Sequence, residues 1–339
     1  KKNKKLNEYY EFFSVLFGGF PEPKTFGKRA NDYLKTNDHY DLIIDNQSLS
    51  YGMVEIQKRF PFIEMIHHPI TMDFKHEMKV SKKIKYKVSR YRWYSFLKMQ
   101  KKVAPSIKRI ITPSESSKNG IIEDLNCKNT NITVINNGLD TDEFSPIKGT
   151  ERNKFRLITT ASADVPLKGL DYTLKALNIL KNDFPEIQLI IIGSLKKGGH
   201  TQKLIKKLNL EQYIIFKTNI SKKEIKELYA ESSIAIVSSL YEGFGYPVIE
   251  AMSCEVPLIA TNVSSIPELT SKYALLVDPK NSEMISAGVK NILSNYEKYK
   301  KIAIHGRQHV VKNFNWIKIT RKYENIIFKT IREFKNVNV

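Results

Sequence analysis

The sequence predicts an α/β protein built from two doubly wound domains, each with a parallel sheet. Three observations carry this. Short Ile- and Val-rich runs recur along the chain, too short for helices and each ending in polar residues, as buried parallel strands do. Amphipathic stretches of helical period separate them. A polar segment holding Pro and Gly, "FSPIKGTERNK" (144–154), divides the alternation into two series and reads as a linker. In sheets of this kind ligands bind beyond the carboxyl ends of the strands, and two such domains are expected to face each other across a cleft.

In the first series the expected strands are "DLIID" (41–45), "FIEMIHH" (62–68), "RIITPS" (109–114) and "ITVINNG" (132–138). The stretch "SESSKNGIIEDLN" is expected as a helix with Ser114 as its N-cap. The second series opens with the strand "FRLITTAS" (155–162). A helix follows, with Leu170, Leu174, Leu177 and Leu180 at helical spacing. Then come "IQLIIIG" (strand), "KLIKKLNL" (helix), "YIIFKTN" (strand), "SKKEIKELYAES" (helix), "SIAIVSS" (strand), "PVIEAMSCE" (helix) and "VPLIATN" (strand). Residues 282–313 are mostly helical. The chain closes on the amphipathic helix "WIKITRKYENIIFKTIREF".

The 339 residues suit two domains, and the 41% hydrophobic fraction suits packed cores. No apolar run approaches the roughly 20 residues of a membrane span. The opening "KKNKKLNEYY" is not a secretory signal. Cys127 and Cys254 are the only cysteines, which excludes a disulfide framework or a cysteine zinc site and suits reduced, cytoplasmic thiols. The net charge of +20 is uneven: residues 75–109 hold thirteen Lys/Arg and one Glu, with Tyr86, Tyr91, Trp93, Tyr94 and Phe96 interleaved. This composition suits an anionic membrane surface or a lipid phosphate, with a solvated basic face as the plain alternative. Nucleic acid also matches the composition and is the least favoured partner.

Two nucleotide-loop motifs are absent. No G-x-G-x-x-G follows the first strand of either series, so a nicotinamide or flavin fingerprint is missing. "GSLKKGGH" (193–200) has the glycine separation of a P-loop, but Gly199 and His200 replace its Lys and Ser/Thr, leaving an ordinary strand-to-helix loop.

The densest stretch is "YEGFGYPVIEAM" (241–252). A strand ends just before it, Gly243 and Gly245 let backbone approach a ligand closely, and Pro247 suits the first turn of a helix. Loop amides and the helix start attract phosphate oxygens. Glu250, one turn into that helix, repels phosphate but suits hydroxyl donors such as a ribose diol. Glu242, before the glycines, could face the other end of the ligand. A diphosphate between two hydroxyl-binding carboxylates describes a nucleotide sugar. The plain alternative is a capping glutamate and a solvated one.

"YEGFGYPVIEAMSCEVPLIATNVSSIPEL" resembles the E-x7-E signature of retaining glycosyltransferase family 4, whose fold is GT-B. "VINNGLDTDEF" (134–144) is similar to that family's N-G-[VIL]-D-x-x-x-F segment, "PLKGLDYTLKAL" (166–177) to its K-G helix start, "FKTNISKKEIKELYAESSIAIVSS" to the segment before the signature, and "IHHP" (66–69) to its amino-domain His loop. The matches keep family order from about residue 41 to the end.

The resemblance implies roles. Glu242 contacts the donor sugar and Glu250 the ribose hydroxyls. The amides of Gly243, Phe244 and Gly245 serve sugar and phosphate, and Lys168 pairs with the diphosphate. Asn219 and Ile220 lie near the base. His67, rather than His68, lines the sugar and acceptor side. The implied catalytic set is Glu242, His67 and Lys168, with a nucleotide diphosphate sugar as donor, a glycan or lipid-linked acceptor, no metal and no cofactor. No Asp-x-Asp motif appears. The implied domains are 1–148 (acceptor side), 149–315 (nucleotide sugar) and a C-terminal helix, 316–339, packing back on the first. The expected location is cytoplasmic, peripheral at the inner membrane face.

Several positions depart from the family pattern. Ser162 and Ala163 stand where a second diphosphate cation, an Arg, is common, with Lys196 or Lys197 as candidate substitutes. Thr218 and Glu255 stand where Gly is usual. The family's opening strand and Gly-Gly loop are expected before residue 1, which makes the first domain partial. Two other classes remain open: a GT-B epimerase or phosphorylase, and a non-catalytic nucleotide-sugar-binding protein.

Overall fold

The structure, a computed structural model, describes residues 2–80 and 83–337. Ser81 and Lys82 of the basic stretch and residues 338–339 of the C-terminal segment lie outside the described residues. The chain forms two compact units, Lys1–Asn136 with Thr320–Val339, and Asn137–Ile319.

The first unit runs α1 (Lys2–Leu16), α2 (Glu22–Tyr33), β1 (Ile43–Asn46), α3 (Tyr51–Ile56), β2 (Phe62–Met65), α4 (Thr71–Val80), α5 (Ile84–Trp93), α6 (Leu97–Val103), β3 (Ile110–Thr112), α7 (Glu115–Leu125) and β4 (Ile132–Val134). The four strands are parallel in the order β1-β2-β3-β4, with Ile43 opposite Phe62 and Ile110 opposite Ile132. Ile63, Ile110 and Ile111 are fully buried, so the short Ile-rich runs form the floor of the unit. Ser114 caps α7, its hydroxyl accepting from the Ser117 amide at 3.0 Å, as its place before the helix predicts. The basic stretch becomes α4, α5 and α6. No residue of α5 is buried, and Ile84, Val88, Tyr91 and Trp93 are exposed beside its cations.

The second unit runs β5 (Asn153–Thr160), α8 (Leu170–Leu180), β6 (Gln188–Ile192), α9 (His200–Lys207), β7 (Ile214–Lys217), α10 (Lys222–Glu231), β8 (Ser232–Val237), α11 (Tyr246–Ser253), β9 (Leu258–Thr261), α12 (Ile266–Thr270), β10 (Leu275–Val277), α13 (Ser282–Ser294) and α14 (Tyr296–Phe314). The last helix, α15 (Trp316–Val337), begins here, and its residues from Thr320 belong to the first unit, where Arg109 pairs with Glu333. The six strands are parallel in the order β10-β9-β8-β5-β6-β7. The chain progresses outward from β5 through β6 to β7, then returns to the other side of β5 for β8. The sheet therefore reverses direction between β5 and β8, and the loops leaving their carboxyl ends are neighbours.

The expected strands and helices form, with three differences. The units divide at 136/137 rather than at 148/149. Leu139 N donates to Phe314 O at 2.7 Å, and Leu139 and Phe144 are buried in the second unit's core, so the expected linker starts inside that unit. β10 and α12 carry three and five residues, too few for a periodic signal to stand out. The helical stretch after 281 breaks at Asn295 into α13 and α14.

Candidate functional site

The β5–α8 and β8–α11 loops are stitched together at the switch point of the second unit. Leu240 N donates to Leu167 O at 2.7 Å. Ser238 Oγ donates to Gly169 O at 3.0 Å and accepts from Thr173 Oγ1 at 2.8 Å. Gly169 has φ +64°, and a Cβ there would lie 1.9 Å from Ser238 O, so only glycine allows this approach. The stitch delivers Lys168 to Glu242: Nζ lies 2.8 Å from Oε1, which also accepts from Ser239 Oγ at 2.7 Å. Glu242 is buried while the Lys168 side chain is 34% exposed. A carboxylate out of water is thus held by one cation and one hydroxyl, with the cation still open to solvent.

The glycine loop is held from beneath. Ser265 Oγ donates to Glu242 O at 3.0 Å and also to Phe244 O. Phe244 is buried against Phe314, and Gly245, at φ +112°, forms the N-cap of α11 with Pro247 next in its first turn. Backbone amides and a helix start therefore converge beside the Lys168–Glu242 pair.

Glu250 is the fifth residue of α11. The hydroxyl of Tyr229, a fully enclosed side chain on α10, donates to its Oε2 at 3.4 Å and sits 3.3 Å from Thr160 Oγ1. Burial pushes the Glu250 carboxyl up to about 7, against the opposing pull of the Tyr229 hydrogen bond and of Lys222. The base of α11 is fixed by Arg152, whose guanidinium donates to Cys254 O (2.9 Å) and Glu255 O (3.1 Å), and to Tyr229 O and Ser232 O (2.7 Å each). One half-buried cation so ties the ends of α10 and α11, the helices that carry Tyr229 and Glu250.

Asn219 is exposed with φ +55°, and Ile220 packs partly against the core just before Ser221, the capping-box residue of α10. Glu255 has φ +56°, which gives the physical reason a glycine suits that position. At the other candidate loop, the start of α9 already holds a carboxylate: Thr201 N donates to Asp164 Oδ1 at 2.8 Å and Asp164 N to Thr201 Oγ1 at 3.0 Å. The near-miss P-loop is thus an ordinary capped loop, and Lys196 and Lys197 stand exposed in it.

In the first unit, His67 and His68 follow β2. His67 Nε2 lies 2.7 Å from Asn46 Oδ1, and its amide donates to Gln47 Oε1 at 2.8 Å. The Gln47 amide group donates to His68 O at 2.8 Å, and His68 Nε2 is 2.7 Å from Asp73 Oδ2. Burial, with His68 adding to it, lowers the His67 pKa, which favours the neutral ring.

Residues 141–309 match the family model described as "Glycosyl transferases group 1", and residues 4–143 match "Glycosyltransferase Family 4". The MMP alpha-(1->4)-mannosyltransferase of Mycolicibacterium hassiacum is 33% identical over 326 residues, spanning 95% of this chain and 78% of that protein. The chain belongs to glycosyltransferase family 4. This family 4 glycosyltransferase has the two Rossmann-like units of the GT-B fold, and it is similar to solved structures of that kind. Sucrose-phosphate synthase from Thermosynechococcus elongatus aligns with a TM-score of 0.76 at 19% identity, over 91% of this chain and 78% of that one. HepE of Anabaena, solved with UDP and glucose, aligns with a TM-score of 0.72 at 19% identity, over 87% and 80%.

Sequence reasoning placed Lys168, Glu242 and the glycine loop in one cluster, and the structure brings them together. It missed Ser239, Tyr229, Arg152, Asn46 and Gln47. Ser239 stands three residues before Glu242, a spacing that could have drawn attention. Tyr229 and Arg152 carry no local signal, because their partners lie 21 to 103 residues away. Among the described residues, no three His, Cys, Asp or Glu side chains gather into a metal-binding group, and no helix is long and apolar enough to cross a membrane.

Proposed function

We propose that this glycosyltransferase moves a hexosyl group, with retention, from a nucleotide diphosphate sugar to an acceptor hydroxyl. The observation that carries the reading is the Lys168–Glu242–Ser239 cluster beside the glycine loop at the switch point. On donor binding, Lys168 turns from Glu242 to the diphosphate and Glu242 accepts from sugar hydroxyls. The amides of Gly243, Phe244 and Gly245 line the phosphate and sugar. Glu250 takes the ribose hydroxyls, and the Asn219–Ile220 backbone meets the base. The bond from the anomeric carbon to the leaving phosphate oxygen breaks, its electron pair staying on that oxygen. The acceptor oxygen forms the new bond on the same face, and its proton passes to the leaving phosphate. Lys168 and the start of α11 stabilise the charge that develops there, without a metal. His67, neutral and oriented by Asn46, serves the sugar and acceptor side.

Mannosyl is the first sugar to test, because the relative at 33% identity is a mannosyltransferase. The test is nucleotide release across UDP-, GDP- and ADP-sugars, with and without EDTA, followed by the anomeric configuration of the product. Unchanged turnover in Glu242→Ala and Lys168→Ala would overturn the site, and an inverted product would overturn retention.

The acceptor side is read as meeting an anionic membrane at the cytoplasmic face, through residues 75–109. The supporting observation is α5, wholly unburied, with Ile84, Val88, Tyr91 and Trp93 exposed among Lys85, Lys87, Arg90 and Arg92. Co-sedimentation with anionic vesicles that weakens at high salt supports this; no binding at any salt rejects it.

A further inference from the structure

We propose that a cavity between α4, α5 and α6 is the binding site for an organic phosphate with an apolar body, and that this phosphate belongs to the acceptor. The inference deepens the glycosyltransferase reading and rests on it for the word acceptor, but not for the ligand chemistry. The cavity measures about 270 Å³, enough for a small ring or a short alkyl segment. Its walls are aromatic: Phe74 from α4, Tyr91 from α5 and Tyr94 just after it, with Leu97 opening α6. Phe74 packs on Tyr94 with centroids 5.3 Å apart and meets Tyr91 edge-on at 6.2 Å, so the three rings form one continuous surface. The Tyr94 hydroxyl is committed to Glu77 Oε1 at 3.0 Å, which leaves its ring as the part offered to a ligand.

The rim is cationic. Lys98 and Lys101 are exposed on α6 three residues apart, the spacing that puts both on one face. Neither has a carboxylate partner within ion-pair distance among the described residues; Lys98 Nζ instead lies over the Tyr91 ring, 5.5 Å from its centroid. A third lysine, Lys75, is already neutralised: Asp124 takes both its ammonium and the Thr71 hydroxyl. The local carboxylate is therefore bound to Lys75 and reaches Lys101 only through its longer-range field, so the rim keeps room for an anion between Lys98 and Lys101. An apolar pocket under two ammonium groups that form no ion pair among the described residues selects an anion joined to apolar matter. Phosphate answers this better than carboxylate, because its several oxygens can meet both lysines at once. α4 links the cavity to the His loop: it supplies Phe74 to the cavity wall and Asp73, whose carboxylate lies against His68. A phosphate fixed here would anchor an acceptor whose hydroxyl lies toward that loop.

The test is calorimetric titration of the whole protein with hexyl phosphate, inorganic phosphate and hexanol, and flotation with phosphatidylcholine vesicles with and without phosphatidic acid. The variants are Lys98→Gln/Lys101→Gln and Tyr91→Leu, with thermal melting as the folding control. Hexyl phosphate is expected to bind at least tenfold more tightly than either half-ligand, and each variant to lose at least tenfold at unchanged melting temperature. Matching losses on phosphatidic acid vesicles would assign the phosphate to a lipid; losses confined to hexyl phosphate would assign it to a soluble acceptor. Equal binding of inorganic and hexyl phosphate, or full binding in the double variant, would overturn the proposal. Nucleotide diphosphate titrated into the same wild-type sample tests the donor reading separately, so either can fail alone.

Discussion

Lys168 Nζ stands 2.8 Å from Glu242 Oε1, joining two loops that leave neighbouring strands. In this structure the lysine stabilises a buried carboxylate; with donor bound it is expected to face the diphosphate. Both roles fall on one cation, so its removal leaves a carboxylate enclosed without a counter-charge.

Lys168→Ala is therefore expected to lower both stability and turnover, the latter by about 100-fold or more. Glu242→Gln keeps an acceptor for Ser239 and loses turnover at nearly unchanged stability. The double variant Lys168→Ala/Glu242→Gln should melt above Lys168→Ala, because the uncompensated charge is gone. Melting curves and nucleotide release check the three; a double variant melting below the single one contradicts the pairing.

Glu250 carries a pH dependence whose sign is fixed by its burial. Its folded carboxyl titrates at about 7, above the ordinary 4.5. The folded state thus binds more protons than the unfolded one in that interval. The group's contribution is full below pH 4.5 and is lost as pH rises through about 7. The difference of about 2.5 units corresponds to about 3 kcal/mol. Urea unfolding of wild type and Glu250→Gln at pH 5 and pH 8 is expected to show wild type losing most of that relative to the variant. A pH-independent gap would show the carboxyl to be solvated.

Gly169→Ala is expected to cost more than a left-handed backbone alone. Its Cβ would meet the Ser238 carbonyl, one residue past β8, so the two loops must part. Gly149 has φ +79° and open space around it, so Gly149→Ala shows the backbone cost alone, about 1 kcal/mol. Chemical denaturation of both variants, with nucleotide titration, should give a larger loss of stability and weaker donor binding for Gly169→Ala only.

Glu255→Gly should stabilise the protein by up to about 1 kcal/mol, by relieving φ +56°. The contact it gives up, Arg307 Nε to Glu255 Oε1, is 3.9 Å long and worth little. Arg152 holds the Glu255 carbonyl in either case. A lower melting temperature would mean that the side chain does more than the backbone strain costs.

Much of this molecule was legible in its residues. Ile-rich runs such as Ile110–Thr112 and Gln188–Ile192 can satisfy their surroundings only as buried strands, so the α/β alternation follows from local pattern. Ser114 declared the start of α7, and Pro247 that of α11, because caps and first turns are local chemistry. The family assignment likewise rested on contiguous motifs around Lys168, His67 and the two glutamates. The tertiary structure decided which distant groups complete them. Strand order places the loop after β5 against the loop after β8, and with the close approach at Gly169 this sets Lys168 on Glu242, 74 residues away. Tyr229 beside Glu250, Arg152 across two helix ends and Asn46 on the His67 ring have the same origin. A hydrogen bond between elements depends on how the sheet is wound, and winding leaves no periodic trace in the sequence.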